Sequence, residues 1–227
     1  GSQYTQLIAR RVRESGVYSI VKSNKISKKD FSDLNPKGII LSGGPNSVVR
    51  KTKYRLPSFI FNSGIPILGI CYGMQLVADY FGGIVTPSTK KEFGHATFKI
   101  NSATTLFKNI KNKTMFNVWM SHSDKVTKNP PGFKNIGSSS NTKHAAIYNP
   151  KKHIYCLQFH PEVTHTKNGQ IIINNFVYKI CGCIKTWTTN NIIKDITKTI
   201  QDQVGKQKII LALSGGVDST VVAALLN

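Results

Sequence analysis

The chain has 227 residues, 40% of them hydrophobic, which suffices for one large domain or for one domain and part of a second. No apolar run approaches the ~20 residues of a membrane-spanning helix, and no basic segment followed by an apolar one opens the chain, so we expect neither a membrane partner nor an export signal. The formal charge of +21 favours nucleic acid. The basic residues are nevertheless scattered, and no arginine, the usual base-reading residue, follows Arg55. We therefore interpret the charge as compositional bias and expect no nucleic-acid partner.

The four cysteines are too few for a disulfide framework in a chain of this length. The Cys181-Gly182-Cys183 pair has no second pair at metal-ligand spacing, so we expect no metal site there. Reduced thiols are typical of a cytoplasmic protein, which is the location that we expect.

Short apolar runs alternate with turn clusters and helical patterns along the chain, which predicts an α/β fold. The predicted strands span 38–41, 65–70, 93–100, 116–120, 145–148 and 154–159, and the predicted helices span 72–81 and 171–180. Beyond Cys183 the pattern changes. A helix over 191–204, a strand over 208–213, a loop over 214–219 and a helix starting at Thr220 are predicted there. We place a domain boundary near residue 182.

The segment Gly69-Ile70-Cys71-Tyr72-Gly73 lies between a predicted strand and a predicted helix. This is the spacing of a nucleophile elbow, in which two glycines permit a tight turn around the nucleophile. Backbone amides and the helix dipole at that position favour a thiolate. The alternative is a small buried cysteine at the end of a strand.

His160-Pro161-Glu162 follows the strand predicted over 154–159. Residues two apart on an extended chain face the same side, so the imidazole and the carboxylate can meet. The carboxyl ends of parallel strands lie at one edge of a sheet, which would bring His160 close to Cys71. Nucleophile, general base and orienting carboxylate would then occur in the order Cys, His, Glu. Alone, the tripeptide also fits an ordinary turn.

Gly43-Gly44-Pro45 follows another predicted strand. Glycine amides can approach a bound carbonyl closely, and together with the amide of Tyr72 they would form an oxyanion hole. A plain Gly-Gly-Pro turn is the alternative.

Seven ordered segments together resemble the GMP synthetase family over essentially the whole chain. Six of them resemble its amidotransferase domain, namely GSQYTQLIARR at 1–11, LSGGP at 41–45, GICYGMQ at 69–75, EFGHA at 92–96, VWMSHSDKV at 118–126 and QFHPEVTHT at 158–166. The seventh, LSGGVDST at 213–220, resembles its ATP pyrophosphatase loop. NAD synthetase shares the last segment but not the others. Anthranilate and carbamoyl-phosphate enzymes share the Cys, His and Glu residues but lack the SGGVDS sequence of the last segment.

The resemblance implies a role for each matching residue. Cys71 would be the nucleophile, with His160 and Glu162 completing a catalytic triad. Gly44 and Tyr72 would supply oxyanion amides. Gln75 and the backbone of Ser121 and Ser123 would hold the α-carboxylate and α-amino group of glutamine. His122 and His165 lie within family motifs, but their spacing suggests no metal site.

The loop Ser214-Gly215-Gly216-Val217-Asp218-Ser219 resembles the pyrophosphate-binding loop of N-type ATP pyrophosphatases. Its amides and the following helix N-terminus would form an anion cradle. By the resemblance, ATP and Mg²⁺ enter as a substrate complex, with Asp218 assisting the metal ion, and no tightly bound cofactor is expected.

The resemblance also implies the fold and the domains. Residues 1–181 would form a class I glutamine amidotransferase domain, flavodoxin-like with a mostly parallel sheet, whose first strand is missing. Residues 182–227 would open a truncated α/β domain of the adenine-nucleotide α-hydrolase type. We therefore expect the chain to be a fragment.

The implied activity is glutamine-hydrolysing GMP synthesis, in which glutamine supplies ammonia for ATP-dependent amination of XMP. The partners would be the small molecules glutamine, XMP and ATP, and the full-length enzyme would be a homodimer. Two alternatives of other classes are a basic nucleic-acid-binding module and a catalytically silent scaffold with the amidotransferase fold. The first predicts binding that weakens steeply with salt, and the intact Cys-His-Glu set argues against the second.

Overall fold

The computed structural model describes residues 4–49, 56–111 and 114–226, with the side chains of residues 89 and 90 left out. Gly1, Ser2 and Gln3 of the first family segment, as well as Arg55 and Asn227, lie outside the described residues. Among the described helices none is long and apolar enough to cross a membrane.

A seven-stranded sheet organises residues 39–157 and has the spatial order β1-β2-β7-β6-β5-β3-β4. In chain order the strands are β1 Ile39–Leu41, β2 Ile67–Ile70, β3 Ile84–Ile100, β4 Met115–Lys128, β5 Lys134–Ser139, β6 Ala146–Asn149 and β7 Ile154–Leu157. All six predicted strands of this region occur, with shifted ends. The sequence prediction missed β5, which pairs with β3 and β6.

The sheet is mixed. In the described part of the chain, β1, β2 and β7 run parallel to one another, whereas the pairings among β7, β6, β5, β3 and β4 are antiparallel. The predicted α/β amidotransferase fold is present, but the prediction of a mostly parallel sheet was wrong. The long β3–β4 hairpin and the short β5 and β6 connections allow antiparallel pairing, whereas parallel pairs need a crossover.

Helices cover both faces of the sheet. They are α1 Tyr4–Glu14, α2 Lys28–Leu34, α3 Ser58–Phe61, α4 Tyr72–Tyr80 and α5 Gly169–Asn174, the last continuing as a π-helix over Asn175–Ile180. The predicted helices at 72–81 and 171–180 are therefore confirmed. Helix α1 buries the face that its apolar spacing predicts: Ile8 and Val12 lie one turn apart and are both buried. Helix α2, in contrast, has no buried residue.

Alternating side chains of the central strands contribute to two hydrophobic clusters. Leu68 and Ile70 of β2 belong to the cluster that contains Ile8 and Val12 of α1, whereas Ile67 belongs to the cluster with Met74 of α4. Because successive strand residues point to opposite faces, one short strand supplies both cores. β2 and β7 are consequently buried along their whole length.

The segment after residue 183 is built differently. Helix α6, Thr189–Val204, begins at an N-cap where the Thr188 hydroxyl accepts a hydrogen bond from the Asn191 amide, and α7 spans Val217–Leu226. Both helices were predicted. The predicted strand over 208–213 was wrong: these residues are irregular and pair with no strand in the described parts of the chain. A strand requires the hydrogen-bonding groups of a neighbour, and the side chain of Ile210 is instead 98% exposed.

Candidate active site

Three parallel strands end at one edge of the sheet and carry the candidate residues there. β1 leads into Gly43 and Gly44, β2 leads into Cys71, and β7 leads through two buried residues to His160. The amide of Cys71 continues the ladder by donating to the carbonyl of Leu157 at 2.7 Å. The topology therefore brings together residues that are far apart in sequence, at the edge where parallel sheets place their active sites.

Cys71 occupies a strained turn between β2 and α4, with φ of 52° and ψ of −107°. A positive φ is costly for a residue with a Cβ, by about 1–3 kcal/mol. The turn is as tight as the two flanking glycines suggest: a Cβ on Gly73 would lie 2.2 Å from the carbonyl oxygen of Leu41, and one on Gly69 would lie 3.0 Å from the backbone of Gly73. The elbow predicted from the sequence is thus present.

His160 and Glu162 form a buried pair. The Nδ1 atom of His160 lies 2.7 Å from Oε1 of Glu162, and neither side chain is more than 3% exposed. Hydrogen bonds also fix the backbone of His160, because its amide donates to the carbonyl of Trp119 and its carbonyl accepts from the hydroxyl of Thr166 at 2.6 Å. The imidazole therefore has a single supported orientation, with Nε2 left to face the cysteine.

Burial disfavours the charged form of His160, yet its pKa is raised to about 10. Hydrogen bonds to Cys71 and Glu162, together with the negative charges of these two groups, outweigh the cost of desolvation. The imidazolium is consequently the stable form at neutral pH.

Gly43 and Gly44 line the other side of the cysteine. A Cβ on Gly43 would lie 2.8 Å from Cε1 of His160 and 3.5 Å from the Cβ of Cys71. The sequence motif favoured Gly44 of this pair, and only the structure shows that Gly43 is the residue packed against the imidazole. A Cβ on Gly44 would make ordinary contact, at 3.5 Å, with the ring of Tyr72.

A cavity of about 440 Å³ opens over Cys71, within the usual range for small-molecule sites of roughly 300–1,000 Å³. Besides Cys71 and His160, its lining includes five of the residues predicted to bind glutamine or an oxyanion, namely Gly44, Tyr72, Gln75, Ser121 and Ser123. The carbonyl of Ser121 accepts a hydrogen bond from the thiol at 3.4 Å. The side-chain amide of Gln75 donates to the carbonyl of Asp124 at 2.8 Å.

Several residues around the site were not singled out from the sequence. The ring of Tyr4 lies 5.1 Å from that of His160 and lines the cavity. Nε of Arg11 donates to the backbone carbonyl of Glu162 at 2.9 Å, and the hydroxyl of Thr166 also accepts from the amide of Trp119. All of them lie in the family segments quoted above. Their roles depend on contacts across the fold that spacing alone does not reveal.

The loop 214–219 does not join this site. Gly215 has φ of +82°, and the hydroxyl of Ser214 accepts from the amide of Gly216 at 3.5 Å and donates to the hydroxyl of Ser219 at 3.2 Å. The hydroxyl of Ser219 also donates to the carbonyl of Gly216. The loop thus forms a turn at the start of α7 with exposed side chains.

Comparison with protein families identifies the class of protein. The model of the glutamine amidotransferase class-I family matches residues 1–180, and that of the NAD synthase family matches residues 188–227. The chain therefore belongs to the class-I glutamine amidotransferase family.

Among its curated relatives are proteins named GMP synthase [glutamine-hydrolyzing]. The one from Vibrio vulnificus (strain CMCP6) is 50% identical over 227 residues, and the one from Prochlorococcus marinus (strain MIT 9312) is 52% identical over 228 residues. Both matches cover 100% of this chain, which spans only 44% and 43% of the respective relatives.

Solved structures agree with this assignment. A protein from Thermoplasma acidophilum, provisionally described as a GMP synthase subunit, has a TM-score of 0.69 and 31% identity, covering 80% of this chain and 90% of its own. A glutamine amidotransferase from Thermotoga maritima has a TM-score of 0.57 and 19% identity, covering 97% of this chain and 88% of its own. The second likeness concerns the fold alone.

Proposed function

We propose that residues 1–181 hydrolyse glutamine to glutamate and ammonia. The observation that carries the proposal is the alignment of Cys71, His160 and Glu162 at one sheet edge, with the 2.7 Å His160–Glu162 contact buried behind a cavity of ligand size. This arrangement suits acyl transfer, because a base next to the nucleophile is itself oriented by a hydrogen bond to a carboxylate.

The reaction follows from the positions of these groups. The thiolate of Cys71 attacks the side-chain amide carbon of glutamine, and the imidazolium of His160 gives its proton to the departing ammonia. Water, deprotonated by His160, then attacks the thioester, which releases glutamate and restores the Cys71 thiolate and the His160 imidazolium. Glu162 holds the imidazole through Nδ1 and stabilises its charge. The sum is glutamine and water to glutamate and ammonia.

The remaining cavity residues take the supporting roles. The amides of Gly44 and Tyr72 would stabilise the oxyanion that develops in each attack. Gln75 and the backbone of Ser121 and Ser123 would bind the α-amino and α-carboxylate groups. The presence of these residues in the lining of one cavity supports the assignment.

Selective labelling tests the proposal. A diazoketone analogue of glutamine should modify Cys71 and spare the other thiols, and glutamine should protect it. Burial raises the pKa of Cys156 and Cys183 and raises that of Cys181 to about 12, so these thiols stay protonated. The Cys71→Ala protein should take up no label and should have lost glutaminase activity. Preferential modification of Cys156 would refute the assignment.

We further propose that the complete protein is a glutamine-hydrolysing GMP synthase: ATP, XMP, glutamine and water give AMP, pyrophosphate, GMP and glutamate. The relatives with this name, about 50% identical along the entire chain, support the proposal. In it, ATP activates XMP by adenylylation and ammonia displaces AMP. A homodimer in the cytoplasm is part of the same proposal, and sedimentation of the complete protein would test the dimer.

The loop 214–219 would bind the phosphates of ATP. Its amides lie before and within the first turn of a ten-residue helix, and Gly215 adopts the left-handed conformation that such anion-binding turns use. Ser214 and Ser219 would donate to phosphate oxygens. The carboxylate of Asp218, in the first turn of α7, suits Mg²⁺, which prefers oxygen ligands and would neutralise phosphate charge.

The two halves of this proposal separate experimentally. In the complete protein, Cys71→Ala should still form GMP when free ammonia replaces glutamine, because only ammonia production is lost. Asp218→Ala should lose adenylylation but retain labelling of Cys71. Failure of well-folded Cys71→Ala protein with ammonia would show that the two activities are not divided between these regions.

A further inference from the structure

A second buried carboxylate–histidine pair lies in the wall of the cavity and has no part in the triad. Glu92 of β3 and His122 of β4 are directly opposite each other in the antiparallel ladder. Their side chains are only 5% and 1% exposed, and Oε2 of Glu92 lies 3.0 Å from Nε2 of His122. The geometry of this contact falls short of a hydrogen bond.

The burial pattern of β4 explains how these polar groups come to face inward. Alternate residues of the strand are buried, so Phe116, Val118 and Met120 are followed on the same face by His122 and Asp124. The apolar stripe thus changes to polar side chains where β4 reaches the cavity. Buried polar groups are costly unless they are paired, so the pairing at this point requires an explanation.

Glu92 has a complete set of partners. The hydroxyl of Ser139 donates to Oε1 at 3.2 Å, and that of Thr142 donates to Oε2 at 2.5 Å. Burial alone would raise the pKa of Glu92, but its contacts with His122 and Thr142 lower it below the ordinary value. The group is therefore a carboxylate with fixed geometry, which the β5–β6 connection holds from one side and β4 from the other.

Both ring nitrogens of His122 face acceptors. Nδ1 lies 3.0 Å from the carbonyl oxygen of Asp124, and Nε2 lies 3.0 Å from the carboxylate of Glu92. A neutral imidazole has one donor and one acceptor nitrogen, so it would direct a lone pair at one of these oxygens. The two contacts together hold the ring from both sides.

This pair is connected to the glutamine pocket through one atom. The carbonyl oxygen of Asp124 accepts from Nδ1 of His122 and also from the side-chain amide of Gln75. His122 itself lies between Ser121 and Ser123, whose backbone is assigned to glutamine binding, and all of these residues line the cavity. Glu92, which is buried behind His122, would thus determine the position of three glutamine-binding residues that it does not touch.

We propose that Glu92 and His122 are positioning residues for glutamine: a buried carboxylate–histidine pair that fixes the backbone from Ser121 to Asp124 and the side chain of Gln75. The inference rests on the proposed glutaminase function. A buried polar pair contributes little net stability compared with apolar residues of similar size. Its main effect should therefore fall on recognition of the amino-acid end of glutamine, while the reactivity of Cys71 is unchanged.

Inactivation kinetics of the 227-residue chain separate recognition from reactivity. For Glu92→Gln, we expect the half-saturating concentration of the diazoketone glutamine analogue to rise about tenfold. The inactivation rate at saturation should stay within about threefold, and the rate with iodoacetamide, which has no amino-acid end, should not change. Thr142→Val, which removes one donor from the carboxylate, should give a smaller shift of the same kind. Asp202→Asn, an equivalent charge change on exposed α6, is the matched control.

A second measurement concerns the ring itself. The nitrogen-15 signal of Nε2 of His122, which faces Glu92, should shift in Glu92→Gln, while that of Nδ1, which contacts the carbonyl of Asp124, should change less. His122→Asn, whose amide can still donate to the carbonyl of Asp124, should bind the analogue better than His122→Ala does.

The outcomes distinguish the inference from the proposed function. If the unmodified chain shows no saturable inactivation, the glutaminase proposal fails. If it saturates but Glu92→Gln and Thr142→Val have an unchanged half-saturating concentration, only the positioning role is overturned. Equal slowing by both reagents would assign Glu92 to general packing.

Discussion

Residues 4–183 and residues 184–226 carry equally recognisable motifs, yet the structure supports them very differently. The elbow at Cys71 lies between a fully buried strand and a helix with a buried face, and a second chain segment orients each group around it. Helices α6 and α7 have no buried residues, and the loop 214–219 is held only by its own short-range hydrogen bonds.

The difference shows what a functional motif requires besides its residues. Residues contributed by β1, β2, β4 and β7 meet at Cys71, so distant parts of the chain fix its geometry. Fixing each backbone residue costs about 1–2 kcal/mol, and in the first region the two hydrophobic clusters offset that cost. The loop 214–219 has no comparable packing among the described residues. Four experiments test this difference between the two regions.

Loss of the orienting carboxylate should have the largest effect. Glu162→Gln keeps the shape of the buried side chain but removes the charge that stabilises the His160 imidazolium. We expect glutaminase turnover to fall by about 10²–10⁴-fold, measured by glutamate release. Asp218→Asn, also a carboxylate-to-amide change but in the second region, should leave glutamate release within about twofold in the same assay. A similar loss in both variants would contradict the separation of the two regions.

Core truncation compares the packing of the regions directly. Leu68→Ala removes a fully buried side chain of β2, and we expect a loss of about 2–5 kcal/mol in the free energy of unfolding. Ile210→Ala changes a side chain that is 98% exposed and should cost less than about 0.5 kcal/mol. Urea denaturation measures both. A large loss for Ile210→Ala would mean that this residue is packed in solution.

A single methyl group near His160 tests how closely the first site is fitted. In Gly43→Ala the new Cβ would lie 2.8 Å from the imidazole, so the ring must shift. We expect turnover to fall by about 10–100-fold, since small misplacements of catalytic groups are costly. Gly44→Ala adds the same group where it makes ordinary contact, and its effect should be several-fold smaller. The reverse order would contradict the described geometry.

The pH dependence of stability tests the charge of the buried His160–Glu162 pair. The pKa of His160 is raised from 6.5 to about 10 in the folded chain, so its ion pair contributes fully below pH 6.5. That contribution should be lost as the pH rises from 6.5 to 10. The stability difference between the unmodified chain and His160→Gln should therefore shrink over this interval in urea titrations. A difference that grows with pH would refute the imidazolium.

The sequence predicted those features that depend on residues close together in the chain. The elbow follows from two glycines around Cys71, and the meeting of His160 with Glu162 follows from their two-residue spacing. Strand β5 was missed because Lys134–Ser139 is polar, with two buried residues and none of the usual apolar alternation; β3 and β6 hold it in the sheet. The segment 208–213 shows the opposite: it is apolar and was predicted as a strand, but no neighbouring strand pairs with it among the described residues.

The polar network behind the cavity could not be predicted from spacing. Glu92 lies 30 positions before His122 and 50 before Thr142, and a register shift in the β3–β4 ladder between Pro87 and Glu92 sets the pairing. Single-sequence patterns contain no information about such register. The contact of Gly43 with the imidazole could not be predicted for a related reason, because His160 follows β7, which is distant in sequence.

The left-handed backbone at Cys71 places catalysis and folding in opposition at one residue. Glycine adopts that conformation without strain, whereas the turn costs a residue with a Cβ about 1–3 kcal/mol. The Cys71 side chain is also buried in a hydrophobic cluster, so Cys71→Gly would relieve strain and lose a buried contact at the same time. Cys71→Ala loses the sulfur but keeps the strained turn, and it should therefore be the less stable of the two variants. An inactive protein made for structural work would tolerate glycine at this position better than the customary alanine.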